Sequence, residues 1–281
     1  MLRKAIALAA LGLALVAAPA QASGGHTVMK HLSWSFDGPF GKYDTAQLQR
    51  GYKVYREVCS ACHSMELLSF RNLGEKGGPF YDAKYPNPND NPYVKSLAKD
   101  IQVPDIDSET GDVIQRAAVP ADRFPKPFPN AAAAAAANGG ATPPDLSVIA
   151  KGRTGGPNYI YSLLTGYKTP PAGLKVLPGQ NYNVSMPGDV SGAWSGDHKH
   201  VPPGGFLAMP PQLADGKVTF DDGTPSTVDN QAKDVAAFLM WAAEPKMMDR
   251  KAFGFGAMIY LLIFTVVLYF SYRRIWRNVA H

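Results

Sequence analysis

Uncharged apolar residues form two long runs, one near each end of the chain. The first run, residues 5–18, follows two basic residues and precedes the small-x-small sequence AQA at residues 20–22. A basic start, a short apolar core and such a site are typical of a secretory signal peptide. The run is too short and too rich in alanine for a membrane span. We therefore predict that residues 1–22 are a cleaved signal peptide.

The second run covers residues 253–272, reads FGFGAMIYLLIFTVVLYFSY and contains no charged residue. It has about the length needed to cross a bilayer as a helix. Two basic residues precede it and three arginines follow closely, which favours a cytoplasmic C-terminus. We predict an exported domain at residues 23–244, a linker at 245–252, the transmembrane anchor at 253–272 and a basic cytoplasmic tail at 273–281. In this topology the main domain is exported and only the basic tail stays in the cytoplasm.

Within the exported part, two segments show helical periodicity. Their apolar positions are Leu48, Tyr52, Tyr55 and Val58 in the first, and Val228, Ala232, Val235, Leu239 and Ala242 in the second. Asp44 and Thr227 precede these segments and are suitable N-caps. Pro245 ends the second helix. No comparable alternation of apolar and polar residues predicts a large sheet, so the pattern indicates a mainly α fold.

Other parts of the domain show weaker patterns. An alanine run at residues 131–137 precedes Asn138-Gly139-Gly140 and predicts a short helix with a glycine stop. The segment 74–119 is rich in proline, asparagine and aspartate, and we predict long surface loops with brief helices there. The Gly- and Pro-rich segment 186–209 reads as a further long loop.

Charge excludes one class of partner. The chain has 28 Lys and Arg against 23 Asp and Glu, and a formal net charge of +5. Two basic residues lie in the signal segment; six basic and two acidic residues lie between Glu244 and Arg277, which leaves 20 basic and 21 acidic residues elsewhere. The exported domain is therefore near neutral. It carries no basic stripe with interleaved aromatics, so we predict no nucleic-acid binding.

The only cysteines are Cys59 and Cys62, in the sequence VCSACH, which ends at His63. A Cys-x-x-Cys-His sequence in an exported protein is typical of covalent haem attachment, in which the thiols bind the two vinyl groups and the histidine ligates iron. A zinc site needs more protein ligands than this motif supplies. A redox-active dithiol has the right spacing, but it belongs at the N-terminus of a helix, whereas this motif follows a predicted helix. One motif predicts one haem c.

The second axial ligand is less defined by the sequence. Met65 is too close to His63 along the chain to reach the opposite face of a haem, and the methionines near the anchor are expected to pack. Met186 and Met209 remain, each followed by proline. Met209 is favoured because Pro210 and Pro211 stiffen the loop that carries it; Met186 remains the alternative. An anchored oxygen-binding or sensor protein is a further alternative, and it requires an open sixth position.

Several segments together resemble one family. They are GYKVYREVCSACHSM, FPKPFPN, PPDLSVIAKGRTGGPNYIYSLLTGY, AMPP and FDDGTPSTVDNQAKDVAAFLMWAAEP, followed by one anchor. Their order over nearly the whole mature chain resembles the cytochrome c1 family, the haem subunits of the cytochrome bc1 complex (ubiquinol–cytochrome c reductase), in its bacterial form. The resemblance implies a c-type cytochrome fold with enlarged loops plus one C-terminal transmembrane helix. It also implies a location in a bacterial inner membrane, with the haem domain in the periplasm.

The resemblance also implies roles for individual residues. Cys59 and Cys62 match the thioether cysteines, His63 the proximal ligand and Met209 the distal ligand. Arg153 and Tyr159 lie in the pattern Arg-x-Gly-Gly-x-x-Tyr and match groups that bind a haem propionate. Buried carboxylates need such partners, because leaving them unpaired is costly.

The implied function is electron transfer within ubiquinol–cytochrome c reductase. The Rieske iron–sulfur protein is the implied donor, a periplasmic c-type cytochrome the acceptor, and cytochrome b a further subunit of a dimeric complex. Quinol chemistry then occurs on other subunits, so this chain has no catalytic residues of its own. Bacterial relatives sometimes brace the 186–209 loop with a disulfide. This chain has no cysteine beyond those of the motif, so no disulfide can brace the loop. We expect packing to hold it, through the side chain of Trp194.

Overall fold

A computed structural model describes residues 27–278, and the predicted signal peptide at residues 1–22 lies outside that range. The helices are α1 (Thr45–Val54), α2 (Pro92–Lys99), α3 (Ala131–Ala137), α4 (Ile149–Gly152), α5 (Pro157–Leu164), α6 (Val228–Ala243) and α7 (Met247–Ile275). The strands form two antiparallel pairs: β1 (Gln102–Ile106) with β2 (Val113–Ala117), and β3 (Asn181–Asn183) with β4 (Gly205–Leu207). Short 3₁₀ turns cover Phe70–Gly74, Pro88–Asp90, Ser191–Ala193, His198–His200 and Trp276–Asn278. The prediction of a mainly α fold is confirmed.

The two helices predicted from periodicity begin at their predicted caps. The Asp44 carboxylate accepts a hydrogen bond from the backbone N–H of Gln47 at 3.0 Å, and the Thr227 hydroxyl accepts from that of Asn230 at 3.2 Å. Each cap satisfies a backbone donor that the first turn of a helix leaves unpaired. The alanine run also forms the predicted helix, α3, capped by Asn130 and followed by Gly139 at φ 61°.

Helices α1 and α6 cross at Gly51, and this crossing forms the centre of the core. A Cβ atom at position 51 would overlap the carbonyl oxygen of Asp234 and lie 2.6 Å from the Cβ of Phe238. Aromatic rings fill the space around it: the ring of Phe238 lies 5.7 Å from that of Tyr52 and 5.9 Å from that of Tyr55. Helix α6 also packs against α4 and α5, so it links the first half of the domain to the second.

An ion pair beside this crossing holds the same two helices. Arg50 Nε donates to the Asp234 carboxylate at 2.6 Å, and its Nη1 donates to Asp222 at 2.7 Å. Asp234 is only 3% exposed, and Gln47 Nε2 also donates to it at 3.1 Å. A buried carboxylate is tolerated when its oxygens are paired in this way.

The segment 74–119 differs from the prediction in one respect. It contains the expected short helix, α2, but residues 102–117 form the β1–β2 hairpin rather than a loop. Val103 is the only buried residue of the two strands, so the hairpin lacks the apolar alternation that marks a strand in a sequence. Gly111, at φ 76°, lies in the turn that joins the strands.

The predicted anchor lies within α7, a helix of 29 residues. Within residues 27–278, α7 with its last 3₁₀ turn is the one helix long and apolar enough to cross a membrane, and none of its most apolar stretch is buried in the protein. The segment predicted as a linker, residues 245–252, is helical from Met247 onward. The helix therefore leaves the domain without a flexible break.

We predict that Gly51→Ala lowers the free energy of unfolding by about 1–3 kcal/mol, because the added methyl group forces the two helices apart. The measurement is a denaturant titration of the full chain in detergent, followed by circular dichroism. Gly152→Ala is the matched control, since a Cβ there meets no atom within 4 Å. Equal stabilities of the two variants would contradict this account of the crossing.

Candidate haem site

The Cys-x-x-Cys-His motif lies at the C-terminal end of α1, as predicted. The helix widens into a π-helical turn at Tyr55–Cys59, closed by the bond from Ser60 N to Tyr55 O at 2.9 Å. The next turn is tight, because the backbone N–H groups of Cys62 and His63 both donate to Cys59 O, at 3.1 and 2.9 Å. These turns bring both thiols and the imidazole to one end of the helix.

The two thiols are half-buried and are not bonded to each other. Burial raises the pKa of the Cys59 thiol to about 12, and the neighbouring Cys62 raises that pKa further. A reactive dithiol needs a lowered pKa, because the thiolate is the nucleophile. The environment of Cys59 therefore does not support the alternative of a dithiol oxidoreductase.

His63 is oriented by a backbone carbonyl from a distant part of the chain. Its Nδ1 lies 2.8 Å from the oxygen of Pro144, and this contact assigns the hydrogen to Nδ1. Burial lowers the pKa of the imidazole, which favours the neutral ring. A neutral ring with Nδ1–H bonded in this way leaves the lone pair of Nε2 free to ligate a metal.

Asp145 fastens the Pro144 segment to the chain just after the motif. Its Oδ2 accepts from Ser64 Oγ and from Glu66 N, both at 2.8 Å, and its Oδ1 accepts from Ser147 N at 2.8 Å. These bonds hold the pKa of the carboxyl below its usual value, against the effect of burial. Sequence reasoning assigned no role to Pro144 or Asp145; their only signal was their place in the segment PPDLS.

Tyr159 and Met186 lie together. Tyr159 is buried in α5, and its hydroxyl is 4.0 Å from the sulfur of Met186. Arg153 lies in the turn before α5, where Nη1 donates to the carbonyl of Gly152 at 3.3 Å and the side chain is exposed. The turn continues through Gly155 and Gly156, at φ 91° and 54°. Arg153 thus offers a surface guanidinium close in sequence to a buried phenol.

Met209 is half-buried, two residues beyond β4, and its backbone is fixed by neighbours. Tyr167 Oη donates to the carbonyl of Met209 at 2.9 Å. The amide of Asn181 donates to the carbonyls of Leu207 and Ala208, at 3.1 and 3.4 Å. These bonds, followed by two prolines, hold the chain around Met209 in one conformation.

The antiparallel β3–β4 pair separates the two candidate methionines along its length: Met209 follows β4, beyond the Leu207–Asn181 pair, whereas Met186 lies at the other end. Met186 follows β3, and a Cβ on Gly205, the first residue of β4, would lie 3.2 Å from Met186 Cγ. The intervening loop packs on a small apolar cluster of Leu174, Tyr182 and Val190, against which Trp194 is placed. The expectation that packing around Trp194 holds this loop is confirmed.

These groups fit a covalently attached haem. The motif supplies two unbonded thiols and an imidazole whose Nε2 is free, which is the donor set that such attachment requires. The thioethers of Met186 and Met209 supply candidates for a second axial ligand, and Arg153 and Tyr159 supply hydrogen-bond donors for carboxylates.

Comparison with known proteins identifies the family. The sequence pattern that defines the Cytochrome C1 family matches residues 34–279 of this chain. The chain belongs to the cytochrome c1 family. This membership confirms the family resemblance and the c-type fold with enlarged loops that the resemblance implied.

Individual relatives agree with this assignment. A cytochrome c1 from Rhodospirillum rubrum is 41% identical, over 98% of this chain and 97% of its own length. A cytochrome b/c1 from Bradyrhizobium diazoefficiens is 41% identical over 97% of this chain, which spans only 40% of that relative. A protein from Solanum tuberosum named cytochrome c1-2, heme protein, mitochondrial, is 40% identical over 94% of this chain and 91% of its own.

We predict that Asp145→Ala lowers the free energy of unfolding by about 1.5–3 kcal/mol, the range for hydrogen bonds to a charged group. It also frees the segment that orients His63, so the haem-loaded variant is expected to show a shifted reduction potential. Chemical denaturation and redox titration measure the two effects. Asp189→Ala is the control, because that exposed carboxylate accepts only a local bond from Ser191 N; equal behaviour of both variants would refute the role of Asp145.

Proposed function

We propose that this chain carries one haem c and transfers electrons as the cytochrome c1 subunit of ubiquinol–cytochrome c reductase. The observation that carries the proposal is the geometry of the motif: two unbonded thiols and an imidazole oriented through Nδ1 at the end of α1. Cys59 and Cys62 hold the porphyrin by thioether bonds, and His63 ligates iron through Nε2. The relative from Solanum tuberosum, whose name includes the words heme protein, supports this cofactor.

Met209 supplies the second axial ligand. Tyr167 bonds to its carbonyl, and Asn181 bonds to the carbonyls of the two residues before it. A loop held in this way favours a stable sulfur–iron bond, because little conformational entropy is lost on ligation. Met186, by contrast, has its sulfur against the hydroxyl of Tyr159. Arg153 and Tyr159 bind the haem propionates, as the family pattern implies; the exposed guanidinium and the buried phenol are both hydrogen-bond donors.

A haem with histidine and methionine as axial ligands takes up and releases one electron and has no open position for a substrate. The chain's residues therefore hold the group, exclude water from it and set its potential. They carry out no bond-making step. This arrangement disfavours the alternative of an oxygen sensor, which needs an open or labile sixth position.

The donor in this proposal is the Rieske iron–sulfur protein, and the acceptor is a periplasmic c-type cytochrome. Cytochrome b is a further partner, supported by the Bradyrhizobium relative whose name joins cytochrome b and c1. The complex in this proposal is dimeric, as the family resemblance implies. The haem domain lies in the periplasm and the C-terminus in the cytoplasm, as the basic residues after the span indicate.

Met209→Leu tests the distal ligand. Haem is expected to stay covalently attached, while the sulfur-to-iron charge-transfer band disappears. The reduction potential is expected to fall, because thioether ligation favours ferrous iron and axial ligands set haem potentials over a range of about 0.8 V. Near-infrared absorbance and redox titration measure both effects.

Met186→Leu is the matched control for that experiment, since Met186 is the alternative ligand and is also followed by a proline. It is expected to keep the band. Loss of the band in the Met186 variant, with Met209→Leu unchanged, would assign the distal ligand to Met186 instead.

The place of the chain in the complex has its own test. We expect an affinity-tagged full-length chain, purified from membranes in mild detergent, to bring with it a b-type cytochrome and an iron–sulfur protein. Optical and electron paramagnetic resonance spectra of the preparation identify both. Co-purification with a terminal oxidase alone would show that the chain serves a different complex.

A further inference from the structure

A short loop next to the anchor holds an aromatic side chain outside the core. At its two ends, Phe36 and Tyr43 are buried with their ring centroids 5.1 Å apart. Between them, residues 37–40 are all exposed, and Phe40 at the tip is 72% exposed. A single exposed apolar side chain is ordinary on a protein surface, but this one adjoins the exposed apolar surface of α7, which includes Phe255.

Hydrogen bonds keep the loop in this conformation. Lys42 N donates to Ser35 O at 2.9 Å, and Asp37 N donates to Trp34 O at 3.0 Å. The Asp37 carboxylate accepts from Trp34 N at 2.8 Å, and Gly38 takes φ 68°, a conformation available to glycine at no steric cost. The loop is closed on itself, so Phe40 does not turn inward to the core.

The loop is also fastened to the helix that forms the anchor. Lys251 Nζ donates to the carbonyls of Phe36 and Gly41, at 2.6 and 3.2 Å. The ring of Phe40 packs edge-on against that of Phe255, with centroids 5.5 Å apart and an interplanar angle of 69°. The loop tip and the first turn of the apolar stretch therefore lie side by side.

The position of Phe255 sets the depth of the loop. Lys251 is the last charged residue before the span, which is predicted to begin at residue 253. Phe255 therefore lies where the helix enters the hydrocarbon, and its contact with Phe40 places both rings at that level. Exposed Lys42 lies next to the loop tip, so its ammonium group can reach the headgroup level from there.

We propose that residues 37–41 form a second membrane contact, with Phe40 inserted at the boundary between lipid headgroups and acyl chains. Aromatic and large apolar side chains on interfacial segments are favourable at this boundary. The proposal rests on the proposed role of α7 as a helix that spans the bilayer. The apolar surface of Phe40 is continuous with the apolar surface of that helix. Contact at two points restricts tilting and rotation of the haem domain, which a single helix would leave less constrained.

The test uses the full-length haem-loaded chain in vesicles of phosphatidylcholine and phosphatidylglycerol. Phe40→Cys, and separately Pro39→Cys, which keeps Phe40, are labelled with a nitroxide. Collision with oxygen, which enters lipid, is compared with collision with a water-soluble nickel chelate. Val113→Cys, at a position 75% exposed on the β1–β2 hairpin, is the aqueous reference, and Leu262→Cys is the lipid reference.

We expect both loop labels to collide more with oxygen and less with the nickel chelate than the Val113 label, shifted toward the Leu262 label. Collision frequencies equal to those at Val113 would overturn the proposal. Low collision with both reagents would also overturn it, because it would show that protein, such as a second copy, covers the loop. The unsubstituted chain is treated with the same nitroxide reagent. If it takes up label, Cys59 and Cys62 are free thiols, which counts against covalent haem attachment and not against the membrane contact. Failure of the proposed function and failure of this proposal are therefore distinguishable.

Discussion

The close approach of α1 and α6 at Gly51 is the constraint on which the rest of the domain depends. Helix α1 carries the Cys-x-x-Cys-His motif at its C-terminal end, so the position of that helix sets the position of the motif. Only a residue without a Cβ allows the backbone of Asp234 this close. The Arg50–Asp234 pair adds a directional contact beside the apolar one, and together they fix how α1 lies against α6.

Support for the site also comes from backbone segments that lack regular secondary structure. Pro144 orients His63 with its carbonyl, and Asp145 attaches that segment to the chain after the motif. Tyr167 donates to the carbonyl of Met209, and Asn181 donates to the carbonyls of Leu207 and Ala208 just before it. Large loops around a small helical core can thus be rigid where hydrogen bonds satisfy their backbone groups, which is the general requirement for ordered loops.

The junction between the domain and α7 is also held by hydrogen bonds and ion pairs. Tyr43 Oη donates to the carbonyls of Met240 and Glu244, each at 3.2 Å, while Glu244 pairs with Lys151 and Arg250. Met247, in the first turn of α7, is buried in the core. The anchor is therefore an extension of the folded domain, and the direction in which α7 leaves the domain is built into the fold.

The sequence by itself determined the local features. Asp44 and Thr227 mark helix starts because a side-chain oxygen caps the first turn wherever it precedes a helix. The apolar stretch at 253–272 predicts an anchor from its length and composition alone. The Cys-x-x-Cys-His motif predicts haem attachment from its spacing alone. The tertiary structure alone decided which distant groups meet: Pro144 with His63, Tyr159 with Met186, and Phe40 with Phe255. It also revealed the β1–β2 hairpin, whose strands bury too little to leave a pattern. These contacts join residues far apart in the chain through a backbone carbonyl, a buried phenol beside a thioether, and two exposed rings. None of them has a periodicity that a sequence records.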